Sequence, residues 1–190
     1  MANFQLNVTL EGQDKLSKMA ALLTPKLFDK ALAGGVKYAA RAVPAAVAKA
    51  ATAPGRYNIR SKAVKDDVKR PSFGDGGTTA RIPISRRART AAQFGGRQTT
   101  RGYSFAIVKG ERQRFRRGFL APGKQGIMLP FYREGKARYP INVIHGVSTG
   151  SMFLGDSRFG EVMKKEVEQR MSEQFLKGVD RELGRAARGF

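Results

Sequence analysis

The chain has 190 residues, is 41% hydrophobic and carries a net charge of +21, from 36 Lys and Arg against 15 Asp and Glu. That is enough apolar material for one folded domain with a core, and the basic excess asks for a polyanionic neighbour, either nucleic acid or an acidic protein surface. Zero cysteines and one histidine exclude disulfides, Cys nucleophiles and thiolate or His-cluster metal sites, and no apolar run reaches the roughly 18 residues of a membrane span.

The N-terminus, MANFQLNVTLEGQDK, lacks a basic n-region and an apolar h-region, so no secretion signal is expected and the protein is expected to be made in the cytoplasm. Phe4, Leu6, Val8 and Leu10 alternate with Asn3, Gln5, Asn7 and Thr9, which predicts an amphipathic strand ended at Glu11-Gly12. Leu16, Met19, Ala20 and Leu23 then recur at helical spacing and predict a short helix from Gln13. Thr24-Pro25 reads as an N-cap followed by Pro at the first helical position. The helix it opens runs towards Ala51, with Leu27, Ala31, Gly35, Tyr38, Ala42 and Ala46 on one face. Small residues on that face permit close approach of a sheet or another helix, and Pro44 predicts a kink or an end.

After the Ala53-Pro54-Gly55 break, Tyr57–Arg60 reads as extended, with Ser61 capping a short helix to about Val68. Gly74–Gly77 is a turn, and Thr79–Ser85 alternates as a strand that Pro83 places at an edge. Residues 86–102 show no period and predict a long functional or disordered loop rich in arginine. Tyr103–Lys109 and Phe115–Ala121 predict a hairpin with a basic tip. From Arg81 to Lys124 there are twelve Lys or Arg and one acid, Glu111, a local net of +11. Arg86, Arg87, Arg89, Arg97, Arg101, Arg112, Arg114, Arg116 and Arg117 are therefore the candidate contacts to DNA or to an acidic partner, since the guanidinium fork suits phosphate and carboxylate alike. Tyr103, Phe105 and Phe115 suit core packing better than base stacking, because they alternate with Ala106 and Val108.

Ile127, Leu129 and Phe131 alternate with Met128, Pro130 and Tyr132, and Tyr139, Ile141 and Val143 alternate likewise. Two strands are predicted, joined by a hairpin loop at Arg133–Lys136, with Pro130 and Pro140 at strand starts, edges or bulges. From Ser157 the apolar residues Phe159, Val162, Met163, Val167, Met171, Phe175, Leu176, Val179, Leu183 and Ala186 keep gaps of three and four for much of their length. That predicts a helix over 156–188, capped by Asp156 or Ser157.

No chemistry-bearing constellation accompanies these elements. Asp66 and Asp67 are adjacent and Glu166 and Glu168 lie two apart, so neither pair shares a helix face. His145 has no nucleophile motif to serve, and the glycines of 74–77 and 95–96 lack the setting of a phosphate-binding loop. No catalytic, cofactor or metal site is expected, and the fold class is α+β: a small antiparallel or mixed sheet packed by the Ala-rich N-terminal helix and the long C-terminal one, in a single domain over 1–190.

Lys136-Ala137-Arg138-Tyr139-Pro140-Ile141-Asn142-Val143, followed by a short loop and a long final helix, resembles the minor tail protein Z, or tail completion, family of tailed bacteriophages. The signature positions are Lys136, Arg138, Tyr139, Pro140, Ile141 and Val143. The resemblance implies a structural virion protein at the head-proximal end of the tail, at the neck junction. It further implies a homo-oligomeric ring matching a sixfold tube, with tail tube or terminator and neck proteins as partners, genome DNA in its lumen and no membrane. A free basic nucleic-acid-binding protein is the alternative; the concentration of charge in loops, without a helix-turn-helix or an aromatic-basic sheet, weighs against it.

Overall fold

The computed structural model describes residues 24–123, 126–154 and 157–188; the expected strand at 3–10, the helix from Gln13 and a cap by Asp156 lie outside the described residues. The fold is α+β. Helix α1 spans Pro25–Thr52 and α2 Ser61–Asp67; strands β1 (Ser72–Gly74) and β2 (Thr79–Arg81) pair across a 3-10 turn at Asp75–Gly77. A second 3-10 turn, Ala91–Gln93, leads into β3 (Arg97–Thr99), β4 (Gly102–Phe105) and β5 (Gln113–Phe115). Then come β6 (Gly118–Pro122), β7 (Met128–Arg133), β8 (Ile141–Val143), α3 (Thr149–Met152) and α4 (Gly160–Ala187). Two antiparallel three-stranded sheets result, ordered β3-β4-β5 and β6-β7-β8.

The long helices are those the periodicity predicts. α1 starts with Pro25 in its first turn, behind an extended Thr24 whose side chain makes no capping bond. It does not end at Pro44. That residue cannot donate to the Ala40 carbonyl, but Val43, Ala46 and Val47 around it are buried in the core, and this packing carries the helix on to Thr52. α4 begins at Gly160, and Ser157 does not cap it; the Ser157 hydroxyl donates to the Met152 carbonyl instead (2.6 Å). Its buried stripe is Met163, Val167, Met171, Phe175 and Val179, at intervals of four, while Val162 and Leu176 face outward.

α1 and α4 cross at glycines. A Cβ on Gly178 would lie 2.8 Å from Gly35 Cα and 2.7 Å from Tyr38 Cβ, and one on Gly35 would lie 2.8 Å from both Phe175 Cε2 and Val179 Cγ2. The outer halves of the pair form a small cluster of their own (Ala31, Ala39, Phe175, Val179). The inner halves join the main core with Val64, Phe94, Tyr103, Phe105, Ile144, Met152 and Phe153.

Residues 86–102 are not a structureless loop. Thr90 bridges His145, Ala91 and Phe94 are fully buried, and β3 closes the segment. Pro130 explains the attachment. It sits inside β7, the central strand of its sheet, opposite Leu120 in an unbroken register, and not at a strand start, an edge or a bulge as expected. Its carbonyl accepts from Ile144 N–H (2.8 Å), but it has no N–H to return to the Ile144 carbonyl, which accepts from Ala91 N–H instead (2.9 Å). Gly146 N–H then donates to the Arg89 carbonyl (2.7 Å). The chain leaving β8 thus changes partner from β7 to residues 89–91.

Two further expectations shift. Phe115–Ala121 is not one strand: it breaks at Arg116-Arg117, so that Phe115 pairs with Tyr103 in one sheet and Gly118 with Tyr132 in the other. The β7–β8 loop is 134–140, longer than the four-residue turn expected, with a cis Tyr139–Pro140 peptide just before β8. The two sheets meet through Gln98 of β3. Its Nε2 donates to the carbonyls of Gly102 and Gly118 (both 3.3 Å), and its Oε1 accepts from Leu120 N–H (3.0 Å).

Candidate interaction surface

The register of the first sheet sets opposite residues on a common face. Gln98, Tyr103 and Phe115 form one row and Arg97, Ser104 and Arg114 the next. The first row carries the aromatic side: Tyr103 and Phe105 are buried, and Phe105 stacks on Phe115 at 5.9 Å. The second row therefore points outward with its arginines, and core packing is indeed the role of the three aromatics.

Arg112 joins this outer face. Its Nε donates to Ser104 Oγ (3.2 Å), and its Nη2 donates to the carbonyls of Gly95 (3.2 Å) and Ser104 (3.3 Å). These bonds satisfy donors and leave the charge in place. At one end of the sheet, Arg101 and the Arg116-Arg117 turn come together. A Cβ on Gly102, whose φ is +117°, would lie 2.1 Å from the Phe115 carbonyl and 2.7 Å from that of Arg116, so only glycine lets the two turns approach. Arg97, Arg101, Arg112, Arg114, Arg116 and Arg117 are all exposed and form no ion pair among the described residues. Glu111, the one acid of this stretch, is taken by Arg158.

The other three arginines lie elsewhere. Arg86 and Arg87 are exposed beside α3, where the Ser85 carbonyl accepts from Gly150 N–H (3.0 Å). Arg89 departs from the surface set. With a side chain only 11% exposed, it donates to Asp67 Oδ2 through Nε (2.9 Å) and Nη2 (2.7 Å), and it also reaches the Ala63 carbonyl and Gln93 Oε1. Thr149 Oγ1 donates to the same Asp67 oxygen (2.5 Å). Arg89 thus ties α2, the 86–94 segment and α3 together, and its charge is matched within the fold.

A second ion pair, also missed by the sequence reading, joins Arg56 to Glu166 through two hydrogen bonds, one of 2.8 Å, while Arg56 also donates to the Ala50 carbonyl (2.8 Å). The hydrogen bond to Glu166 raises the Arg56 pKa further, and the same bond holds the Glu166 carboxyl below the usual carboxylate range. Both pairs link residues far apart in sequence, so no local signal marks them.

The signature residues lie at one edge of the second sheet. Lys136, Arg138 and Pro140 are exposed in the loop; Tyr139 is 65% exposed, with the Arg138 guanidinium 5.8 Å from its ring centre. Ile141 and Val143 are half-buried in β8. His145 is exposed, and among the described residues no three His, Cys, Asp or Glu gather to hold a metal. No described helix is long and apolar enough to cross a membrane.

No curated protein and no solved structure matches the chain. Residues 11–188 match the family described as prophage minor tail protein Z. With that match over most of its length, the chain belongs to the prophage minor tail protein Z family and so to the structural proteins of phage tails.

Proposed function

We propose that this tail protein completes the head-proximal end of the tail, as a ring of identical subunits at the neck junction that surrounds the DNA path. The observation that carries this reading is the β3–β4–β5 sheet, whose outer face bears Arg97, Arg112 and Arg114 and one end of which gathers Arg101, Arg116 and Arg117, six charges with no acidic partner among the described residues. A rigid basic sheet suits a duplex held by its phosphates without regard to sequence. Arg86 and Arg87, beside α3, are assigned to the acidic surface of a neighbouring ring, tail terminator or neck protein. Such a ring, sixfold to match the tube, closes by heterologous contacts.

Electron microscopy of particles lacking the gene, with an infectivity count, tests the placement. Filled heads and complete tails that are non-infectious are expected. Fully infectious particles would overturn the structural role and leave the free nucleic-acid-binding reading. DNA contact is tested separately, by binding of a mixed-sequence duplex to the purified protein across a salt series. Six phosphate contacts give a slope of log K on log salt of about −5. Arg97→Ala with Arg114→Ala should reduce its magnitude by about 2, and an unchanged slope would remove these residues from the DNA contact.

A further inference from the structure

The outer face of α1 carries a row of unmatched positive charge. Lys26, Lys30, Lys37, Arg41 and Lys49 follow one another at intervals of four, seven, four and eight residues, and all five are exposed. Such intervals keep them on one side of the helix, opposite the side that buries Gly35, Ala39, Val43 and Ala46. Between Lys26 and Lys49 the only other exposed residues are Asp29 and Ala45. None of the five forms an ion pair among the described residues. Two acids that approach the helix are already taken: Glu166 by Arg56, and Glu182, which packs against Gly34, by Arg185.

This row works against the helix that bears it. Lys26 stands in the first turn, which holds no acid, at the positive end of the helix dipole. Lys26 with Lys30, and Lys37 with Arg41, are like charges at i,i+4 that repel across one turn. Asp29 is the only acid in the helix. α4 is built the other way: it mixes both signs, and Glu161–Lys164 and Glu182–Arg185 pair at i,i+3. A merely solvated face has no need of the α1 arrangement, and local rules broken along one line mark a functional surface.

The chemistry of the row selects nucleic acid over protein. Protein interfaces are depleted in lysine and anchored by buried aromatic or aliphatic side chains. Four of the five cations are lysines, and α1 supplies none of the exposed large hydrophobic residues of the described chain. A second copy offers no matching acidic row on α4, where Glu168 and Glu173 lie five apart and so turn to different sides. A point charge on a flexible stem instead suits phosphate oxygens met at no fixed angle. From Lys26 to Lys49 the row runs about 35 Å at 1.5 Å per residue, the length of about one turn of duplex.

We propose that the outer face of α1 is a second duplex-DNA surface, on which Lys26, Lys30, Lys37, Arg41 and Lys49 contact phosphates along about one turn of the double helix. It is separate from the arginine-bearing sheet. Tyr103 and Phe105 behind that sheet, and Val43, Ala46 and Val47 behind the row, belong to one core from which both surfaces look away. This rests on the reading of the protein as one that meets duplex DNA, and it gives each subunit two faces that do so.

The sheet surface is built from arginines alone and the α1 row mostly from lysines, so a lysine reagent reads the second without the first. The test is acetylation footprinting of the full chain by mass spectrometry, with and without a saturating mixed-sequence duplex, and with polyglutamate in its place. Lys62 and Lys65, exposed on α2, are the references. Expected is loss of reactivity at Lys26, Lys30, Lys37 and Lys49 with duplex, not at the references, and its return at high salt. In an Arg97→Ala, Arg114→Ala background, adding Lys30→Gln, Lys37→Gln and Arg41→Gln should cut the slope of log K on log salt by a further amount of about 2.7. Four lysines still reactive on bound duplex would overturn the α1 surface and leave the sheet contact standing. Their protection, with a slope that Arg97→Ala and Arg114→Ala leave unchanged, would uphold α1 and remove the sheet. Protection by polyglutamate but not by duplex would put an acidic protein in place of DNA and overturn the proposal. Lysines already unreactive in the free protein would show the row covered by another copy, and overturn it too.

Discussion

Gly178→Ala should destabilise the protein even though alanine is the better helix former. Replacing a helical glycine by alanine gains about 1 kcal/mol in propensity where nothing opposes it. At Gly178 the new methyl would meet Gly35 Cα at 2.8 Å, the Gly34 carbonyl oxygen at 3.1 Å and Tyr38 Cβ at 2.7 Å. Two of those neighbours are backbone and the third is fixed to it, so no rotamer change relieves the clash. α1 and α4 must separate, and Phe175 and Val179 then lose their seat against Gly35. Overpacking at such a site costs about 3 kcal/mol, the upper part of its usual range, leaving a net loss of about 2 kcal/mol. Gly184→Ala is the internal control: it lies in the same helix, with nothing within 4 Å of its added Cβ. It should stabilise by about 1 kcal/mol. Urea titration of the two variants beside the parent should therefore move the midpoints in opposite directions. Midpoints that rise together would refute the close crossing of α1 and α4.

Three other substitutions test the interior. Tyr103 is fully buried and its hydroxyl finds no hydrogen-bond partner among the described residues, so Tyr103→Phe should raise stability by about 1 kcal/mol in a thermal melt; a loss of that size would reveal a partner for the hydroxyl. Asp67→Ala strands the largely buried Arg89 guanidinium and the Thr149 hydroxyl, and should cost about 3 kcal/mol; a change under about 0.5 kcal/mol would refute a structural role for the pair. The Glu166 pKa is held low in the fold by Arg56, so its contribution is present above the ordinary carboxylate value of 4.5 and is lost as pH falls through the depressed one. Because Glu166 is 40% exposed, that contribution is under about 1 kcal/mol. The stability gap between the parent and Glu166→Gln should narrow on acidification below pH 4.5, and a constant gap would refute the coupling.

The elements legible in the sequence were those whose evidence is local. α1, α4 and the β7–β8 pair each carry their own period, and the family read from the sequence is the one that residues 11–188 match. Residues 86–102 looked structureless because what orders them comes from elsewhere. Phe94 and Ala91 fill the core, and Ala91 N–H answers a carbonyl that Pro130 leaves without a donor, 39 residues further along the chain from Ala91. Arg89 was indistinguishable from its neighbours because its partner, Asp67, lies on another helix. Pro130 misled for a related reason: a missing N–H argues for an edge only when no other segment can take over the pairing. The half-buried row of Phe119, Phe131 and Val143 also left a trace, since β7 reads Met-Leu-Pro-Phe-Tyr-Arg without the polar alternation of a one-sided strand.

Gln98 gives the molecule a seam. Within each sheet the strands are joined by backbone ladders, but between the sheets two bonds, to Gly118 and Leu120, run through one amide side chain. Side-chain bonds near the surface yield at smaller displacements than ladders do, so bending stress would be relieved at this seam before either sheet is disrupted. The arginine-bearing sheet can then tilt against the β6–β7–β8 sheet while both backbone ladders stay intact. The exchange rate of the Leu120 amide, which Gln98 alone protects on that side, reads the opening of the seam directly.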